Sequence, residues 1–305
     1  MNGKYTCKRI NKMADDPVKF LTECSSDYHR IINAVAKKIF ANKSIKIVML
    51  AGPSSSGKTT TAKILSESIN GMGGKAYTVS LDDFYHPRSV GYPLDENGKP
   101  DYECVEALDI EHIHCKFREL IETGKAEMPA FDFKTGERIN NAKAVELKEN
   151  SVVIVEGLHA LNPVITDTLD KQSLFRLYVS VSTRVYEEDG TALLSKRELR
   201  FIRRMIRDFS FRSSSVDKTF ELWQSVMKGE DRYLFPYEHL ADIRIDSFHP
   251  CEPCVFAERA TGLLLGTENA EYKEKAGILI EKLSRFKKAD YSLLPRNSLL
   301  REFTG

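Results

Sequence analysis

Residues 52–59 carry the pattern with the clearest chemistry in this sequence. They read G-x-x-x-x-G-K-T and stand between an apolar run at 45–51 and a helix-compatible stretch that reaches Asn70. Two glycines let such a loop wrap around an anion, so that backbone N–H groups and the following helix N-terminus point at a phosphate. Lys58 then reaches the outer phosphates, and the Thr59 hydroxyl can bind Mg²⁺. The pattern predicts a nucleoside triphosphate site rather than a flexible connector, with contacts from Gly52, Pro53, Ser54, Ser55, Ser56, Gly57, Lys58, Thr59 and Thr60.

Acidic residues follow two of the predicted strands. Asp82 and Asp83 come directly after the strand at 76–81, and ligands gather at the carboxyl ends of parallel strands. A carboxylate there can accept the proton of an attacking hydroxyl, although Asp is also common in solvated turns. Glu156 follows the apolar strand at 151–155. With Thr59 it can hold Mg²⁺, the alternative being a structural salt bridge.

Five arginines lie on or beside a predicted helix at 193–212. Its apolar side contains Leu194, Phe201, Ile202, Met205, Ile206 and Phe209. The i, i+3, i+4, i+7 spacing places four arginines on one face, and a fifth follows, the set being Arg200, Arg203, Arg204, Arg207 and Arg212. Only Glu198 and Asp208 are close enough in the sequence to pair with them. Because guanidinium groups suit the oxygens of a transferring phosphoryl group, we expect a phosphate-clamping lid instead of a solvated face.

The composition excludes some classes of protein and indicates a compartment. The 45 basic and 44 acidic residues nearly cancel, so no single-sign field indicates a nucleic-acid partner or a membrane surface. No stretch approaches the length of a membrane span. The six cysteines are irregularly spaced, which favours reduced thiols and a cytoplasmic protein. The one C-x-x-C, at Cys251 and Cys254, lacks the second half of a zinc site, so core packing is the preferred interpretation.

The hydrophobic periodicity predicts alternating helices and strands. Helices are expected at 20–41, 58–70, 110–123, 193–212, 254–266 and 270–287. Strands are expected at 45–51, 76–81, 151–155, 174–181 and 241–245. A long stretch rich in turn residues, 82–101, follows the second strand, and loops of this length are usually functional or disordered. The alternation predicts an α/β fold with a mostly parallel sheet covered by helices on both faces.

Taken together, these motifs resemble the uridine kinase and phosphoribulokinase family of P-loop kinases over residues 45–247. The family motif D-S-F-Y resembles residues 82–85, which implies that Asp82 is the catalytic base and that Tyr85 contacts the acceptor. Residues 101–109 resemble a family segment in which an acid, here Glu103, holds the ribose hydroxyls. Residues 129–138 resemble the segment that forms the nucleoside pocket, with Phe131, Phe133 and Arg138.

The remaining family motifs fall on the acid and the arginines described above. Glu156 matches the acid of the E-G pair after the third strand, which implies that it binds Mg²⁺ with Thr59. The family lid pattern R-x-x-R-D-x-x-x-R matches Arg204, Arg207 and Arg212, which implies catalytic roles for them beside Lys58 and an acceptor contact for Arg204. The resemblance further implies a P-loop NTPase fold. With the predicted elements we expect three parts, namely an N-terminal segment and helix (1–42), a kinase core (43–250) with a lid at 190–232, and a helical C-terminal extension (251–305) packed on the core.

The resemblance implies ATP- and Mg²⁺-dependent phosphorylation of the 5′-hydroxyl of a nucleoside, uridine or cytidine, and it allows a homo-oligomer. Three features depart from the family pattern, two of them single positions in the base pocket. The third is that residues 223–230 and 295–303 are not typical of short uridine kinases and resemble a bacterial-type subgroup. Gly136 stands where uridine kinases have a base-contacting histidine, and Phe131 replaces a tyrosine. Both changes remove hydrogen-bonding groups, so we expect a permissive base pocket.

Two alternative functions remain open at this point. The first is a phosphoribulokinase-like kinase of a phosphorylated sugar, for which His86 and Arg88 are candidate ligands of the acceptor phosphate. The second is a nucleotide-binding switch without a small-molecule acceptor. A switch that hydrolyses ATP slowly does not require the complete set of Asp82, Glu156 and arginines. The presence of this set therefore disfavours a switch.

Overall fold

A computed structural model describes residues 4–305 of the chain. The α-helices of this range are α1 (Cys7–Met13), α2 (Pro17–Ala41), α3 (Lys58–Gly71), α4 (Ile110–Thr123), α5 (Pro163–Thr166), α6 (Lys196–Arg212), α7 (Val216–Tyr233), α8 (Glu252–Leu265), α9 (Ala270–Ser284) and α10 (Arg301–Thr304). The strands are β1 (Tyr5–Thr6), β2 (Ile47–Ala51), β3 (Lys75–Ser80), β4 (Lys125–Asp132), β5 (Glu137–Glu146), β6 (Ser151–Glu156), β7 (Leu174–Ser180), β8 (Val185–Tyr186), β9 (Ala192–Leu194) and β10 (Ile243–Asp246).

Five strands form the central sheet in the order β10-β7-β2-β6-β3, and every neighbouring pair is parallel. All of β2 is buried, and its side chains alternate between the two faces. Val48 and Leu50 join one hydrophobic cluster, while Ile47, Met49 and Ala51 join the other. A strand covered on both faces needs apolar residues at every position. This arrangement confirms the predicted α/β fold with a parallel sheet between layers of helices.

Each face of the sheet has its own helical layer. The larger cluster includes α2, α3 and the C-terminal helices α8 and α9, with Ile32 and Leu279 among its buried residues. The opposite cluster contains α4 and the antiparallel hairpin β4–β5, with Phe117 and Met128 fully covered. Residues before 43 and after 250 therefore share a core with the sheet, and the proposed division of the chain into three parts stays a prediction.

The structure corrects several predicted elements. Leu194 belongs to strand β9, and α6 begins at Lys196, because Ser195 and Glu198 form a capping box that fixes the helix start. Phe209 was expected on the apolar side of this helix, but 51% of it is exposed because the last turn of α6 extends beyond the core. The hydrophobic periodicity also predicts neither the hairpin β4–β5 nor helix α7.

The two cysteines of the C-x-x-C sequence lie in the core. Cys251 and Cys254 are fully buried, and burial raises the pKa of the Cys254 thiol to about 12. In the part of the chain that the structure describes, no group of three or more His, Cys, Asp or Glu side chains is arranged to hold a metal ion by itself. None of the helices between residues 4 and 305 is both long and apolar enough to cross a membrane.

Candidate active site

The phosphate loop joins β2 to α3 at the carboxyl edge of the central sheet. Ser55 and Gly57 both have left-handed backbone conformations, with φ of 57° and 87°, and such turns direct neighbouring N–H groups into an anion-binding concavity. A side chain at Gly52 would place its Cβ 2.1 Å from the carbonyl oxygen of Val179. Glycine is therefore required where β2 ends, because the backbone there packs directly against β7.

Several polar groups of this loop have no partner in the protein. Within residues 4–305, the backbone N–H groups of Ser55, Gly57 and Lys58 donate to no protein atom. The hydroxyls of Ser55 and Ser56 are buried and also lack a partner in that range. The Lys58 ammonium group donates to the Pro53 carbonyl at 3.3 Å. Because buried donors without acceptors are costly, this loop fits an anionic ligand such as the triphosphate of ATP.

A cavity of about 270 Å³ opens in front of the loop. The residues predicted from the sequence that line it are Ser54, Ser55, Ser56, Gly57, Lys58, Thr59, Asp82, Tyr85, Glu103, Glu156, Arg204, Arg207 and Arg212. The predicted residues outside its lining are Gly52, Pro53, Thr60, Phe131, Phe133 and Arg138. The fold thus brings the loop, the ends of two strands and the C-terminal half of α6 around one space.

Glu156 ends strand β6 next to the start of α3. The Thr59 hydroxyl donates to Oε1 of Glu156 at 3.4 Å. Burial raises the pKa of this carboxyl, while the nearby Lys58 acts in the opposite direction. Hydroxyl and carboxylate oxygens are ligands that Mg²⁺ accepts, usually together with substrate phosphates and water. The donor set therefore fits a Mg²⁺ ion that binds together with a triphosphate.

The neighbouring acids Asp82 and Asp83 have different surroundings. Asp82 lies on the cavity wall, where burial raises its pKa and Lys58 opposes that shift. Asp83 lies outside the cavity lining, and its carboxylate accepts the backbone N–H of Phe131 at 3.2 Å. Of the two carboxylates, only Asp82 is thus available to a group bound in the cavity.

Arg200 and Arg203 do not face the cavity, contrary to the expectation that the arginines share one face. Arg200 binds Glu230 of α7 through two hydrogen bonds of 2.6 and 2.8 Å, and Arg203 binds Glu252 of α8 at 2.6 Å. The two guanidinium side chains are 2% and 0% exposed. Glu198 and Asp208, the acids that are close in the sequence, therefore do not pair with these two arginines. A buried arginine requires such an acid, because an uncompensated buried charge is strongly destabilising.

The other three arginines line the cavity and share a single acid. Asp208 lies 3.2 Å from Arg204, 2.7 Å from Arg207 and 3.6 Å from Arg212. Arg204 also donates to the Ser54 hydroxyl of the phosphate loop at 2.7 Å. Around Asp208, three guanidinium groups face one carboxylate, so this part of the cavity wall carries excess positive charge that suits an anion.

Glu103 also lines the cavity. It packs closely against α7 at Gly229, where a Cβ would come within 2.7 Å of the Glu103 side chain. Burial raises the pKa of Glu103 to about 7, although Arg204 acts in the opposite direction. His159, which no sequence motif indicated, lies with Nε2 2.9 Å from the Glu103 carbonyl oxygen. Burial lowers the pKa of His159 to about 4, so a neutral imidazole donates this hydrogen bond at neutral pH.

Aromatic rings form the outer wall beyond Tyr85. The ring centroids of Tyr85 and Phe131 are 5.7 Å apart, and those of Phe131 and Phe133 are 5.0 Å apart. Tyr92 and Tyr102 form a further edge-to-face pair at 4.9 Å. Phe133 is 61% exposed at the rim of this wall. A group of rings with an open side can stack against a flat base.

The hairpin turn next to this wall differs from what the sequence predicted. Arg138 forms an ion pair with Asp109 at 2.9 Å and also donates to Asn140, so its guanidinium is engaged outside the cavity. Gly136 has a φ of +75°, and a Cβ there would lie 2.9 Å from Nε of Arg88. The exposed Arg88 side chain therefore covers the position at which the resemblance places a histidine, while the role of Arg138 in substrate binding stays a prediction.

The sequence model of the "Phosphoribulokinase / Uridine kinase family" matches residues 47–252. The chain belongs to this family. Uridine kinases of two Staphylococcus aureus strains, JH9 and Newman, are each 28% identical to it over 206 residues, which cover 67% of this chain and 88% of theirs. A solved structure named "putative fructose transport system kinase from Silicibacter sp. TM1040" aligns with a TM-score of 0.51 and 18% identity, covering 70% of this chain and 98% of that chain. The structural likeness supports the P-loop kinase fold alone.

Membership of the phosphoribulokinase / uridine kinase family makes this chain a phosphotransferase, and a kinase of this family implies ATP as the donor. The family match contains the phosphate loop and the cavity residues of α6, but it ends at residue 252. Glu302 also lines the cavity and lies beyond that match. Sequence reasoning missed Glu230, His159 and Glu302, because no local pattern marks an acid or a histidine that reaches the site from a distant element.

Proposed function

We propose that this protein transfers the γ-phosphoryl group of ATP to the 5′-hydroxyl of a nucleoside, with uridine or cytidine as the preferred class. The observation that supports the proposal is that Lys58 and Asp82 line the same cavity, so that a cation suited to phosphate and a carboxylate suited to accepting a proton share one space. The family match and the uridine kinase relatives support the same reaction type.

The proposed mechanism depends on position and charge more than on covalent chemistry. The loop N–H groups and Lys58 bind the β- and γ-phosphates, and Asp82 accepts the proton of the acceptor hydroxyl. Arg204, Arg207 and Arg212 neutralise charge on the transferring phosphoryl group. Thr59 and Glu156 would hold Mg²⁺, which would supply positive charge against the negative charge of the triphosphate.

The acceptor side of the cavity supports a nucleoside more than a small sugar. Tyr85 lines the cavity, and Phe131 and Phe133 extend its ring surface just outside the lining, so that any base can stack there. Glu103, when ionised, can accept hydrogen bonds from ribose hydroxyls. A ring wall next to a buried carboxylate matches the two halves of a nucleoside.

One observation favours a second candidate, a kinase of a phosphorylated sugar. Arg88 lies exposed over Gly136 beside the aromatic wall, and among residues 4–305 no carboxylate forms an ion pair with its guanidinium within 4.0 Å. A free guanidinium suits a phosphate, but it can equally donate to the carbonyl oxygens of a pyrimidine. The two candidates thus differ in what Arg88 binds.

A panel of acceptors tests the proposal. Purified protein is incubated with ATP and Mg²⁺ and with uridine, cytidine, adenosine, guanosine, ribulose 5-phosphate or no acceptor, and products are identified by mass spectrometry. We expect a nucleoside 5′-monophosphate and ADP, with little ADP formed in the absence of an acceptor. Turnover of the sugar phosphate alone would establish the second candidate, and ADP formation independent of any acceptor would indicate a switch.

A further inference from the structure

Residues 294–305, here named the C-terminal strap, run across the phosphate loop from outside the family-matched region. Leu299, Leu300 and Phe303 of the strap are completely buried. Phe303 packs edge-on against Phe256 of α8, and the Arg203 guanidinium lies 5.2 Å from its ring centroid. The strap is therefore part of the core and not an appended tail.

Side chains of two helices bind backbone carbonyl oxygens of the strap. Nε2 of His29, on α2, lies 2.9 Å from the carbonyl oxygen of Asn297. Arg259, on α8, donates to the carbonyl oxygen of Thr304 at 3.0 Å. The position of the strap over the loop is consequently fixed by two helices that do not themselves line the cavity.

Two strap side chains touch the residues that the nucleotide would bind. Leu299 lies directly over Gly57, where a Cβ would come within 2.6 Å of its δ-carbon. The Thr60 hydroxyl, in the first turn of α3, donates to Oε2 of Glu302 at 2.6 Å. Because Thr60 follows Lys58 and Thr59 in the same turn, this bond fixes the segment that presents both to the cavity.

Glu302 also contributes charge to the cavity that it lines. Its carboxylate raises the pKa of Glu156 and supports the charged form of Arg212, although burial remains the larger influence on each. Glu302 therefore lies within electrostatic reach of both the proposed metal ligand and an arginine of the transfer site.

We propose that Glu302 is a positioning residue of the nucleotide site, which holds the first turn of α3 through Thr60 so that the loop binds the triphosphate of ATP. The inference rests on the proposed nucleotide site and adds to it an element outside residues 47–252. In this arrangement the strap sets the affinity for ATP and leaves the chemical step to Asp82 and the arginines.

The test compares Glu302→Ala and Glu302→Gln by calorimetry with Mg²⁺·ATP and by steady-state kinetics. The kinetics use the acceptor that the proposed panel identifies. Glu302→Ala should raise both the Kd and the KM for ATP roughly 5- to 20-fold, the effect of losing one charge-assisted hydrogen bond at a partly exposed site. We expect kcat to change less than about twofold, because Glu302 acts through Thr60 on binding. Glu302→Gln keeps an acceptor oxygen and should recover most of the affinity.

Two further measurements separate positioning from general damage. Glu274→Ala, an exposed glutamate on α9, is the matched control and should bind ATP like the unmodified protein. The effects of Thr60→Ala and Glu302→Ala should be non-additive in the double variant, as expected for groups that act through one bond. Additive losses of affinity would overturn the proposal.

The remaining outcomes are equally decisive. Unchanged ATP affinity in Glu302→Ala would overturn the positioning role, and tighter binding would show that the carboxylate repels the nucleotide, which also overturns it. Lys58→Ala distinguishes this failure from failure of the nucleotide site itself. If Lys58→Ala abolishes ATP binding while Glu302→Ala does not weaken it, the strap inference alone is wrong.

Discussion

The carboxylate of Glu230 binds the Arg200 guanidinium through both of its oxygens at a point where neither side chain is appreciably exposed. The same carboxylate accepts the backbone N–H of Ser54 at 2.9 Å, and Arg200 donates to the Ser54 carbonyl at 3.1 Å. Helices α6 and α7 and the phosphate loop are thus joined at one buried position. A pair of side chains from two helices sets the position of a loop residue that lines the cavity.

Replacement of Glu230 by Gln should destabilise the protein strongly. The change leaves the Arg200 guanidinium buried without its counter-charge, which typically costs about 3–5 kcal/mol. Urea unfolding of both proteins measures the loss. Asp231→Asn is the matched control, since Asp231 pairs with Arg197 at an exposed position and should cost less than about 1 kcal/mol. Equal losses in the two variants would contradict the special role of the buried pair.

Lys58→Ala should nearly abolish turnover without affecting the fold. In the proposed site Lys58 binds a phosphate of the ligand and not a core side chain, and loss of one preorganised donor typically costs about 10²–10³ in rate. Activity and the thermal unfolding midpoint are measured on the same preparation. Lys63→Ala, an exposed lysine on the same helix, should retain normal activity. Near-normal activity of Lys58→Ala would refute the phosphate-loop assignment.

Asp82→Asn should reduce kcat strongly and change ATP affinity little. The amide preserves the shape of the side chain but cannot accept the proton of the acceptor hydroxyl. Calorimetry with ATP and single-turnover kinetics separate the two effects. Asp83→Asn is the control, because Asp83 accepts the Phe131 N–H and lies outside the cavity lining. A large loss of ATP affinity in Asp82→Asn would instead identify Asp82 as a metal ligand.

The activity toward the acceptor should rise with pH near neutrality. Burial raises the pKa of Glu103 from 4.5 to about 7, so its carboxylate becomes available to ribose hydroxyls only as the pH passes that value. The kcat/KM for the nucleoside, measured between pH 5.5 and 8.5 with saturating ATP, should increase through an apparent pKa close to this one.

The same shift predicts the opposite trend in stability. A raised pKa means that folding favours the protonated acid, so its stabilising contribution is complete below pH 4.5 and is lost as the pH rises through about 7. Glu103→Gln should lack both trends. An unchanged pH profile of kcat/KM in Glu103→Gln would show that another group controls the activity.

The base pocket should discriminate only modestly between nucleosides. Gly136 supplies no side chain and Phe131 supplies no hydroxyl, so we expect kcat/KM ratios of roughly ten- to a hundredfold between the best and the next nucleoside. The Arg88 side chain lies against the position of a Cβ at Gly136, and Arg88→Ala should reduce this ratio further if Arg88 binds the base. A ratio of about 10⁴ or more would contradict the permissive pocket.

The sequence predicted those parts of the site that depend on neighbouring residues. One continuous segment contains strand β6 and Glu156, and another contains the loop from Gly52 to Thr59. The local sequence pattern was therefore enough to predict where these residues lie. The partners of Arg200 and Arg203 were unpredictable, because Glu230 and Glu252 become neighbours only when α7 and α8 pack on α6.

Two other elements lacked a usable signal. Strand β5 is exposed along most of its length, so it shows little of the apolar alternation that marks a half-buried strand. Glu302 reaches the cavity from α10, a helix of a single turn, and nothing in its local sequence indicates an acid with a place in a nucleotide site. Charge and packing across the fold, and not local periodicity, determine that β5 forms a strand and that Glu302 lines the cavity.

The central position of β2 affects how the chain folds during synthesis. This strand pairs with β6 on one side and β7 on the other, beginning with Ile47 opposite Val153 and Leu174. A growing chain therefore carries an apolar strand without either partner until those residues leave the ribosome, an interval on the order of ten seconds at typical translation rates. Helix α2 is made first and contributes to the same hydrophobic cluster as Val48 and Leu50. It can thus shield one face of the strand from aggregation before the sheet closes around it.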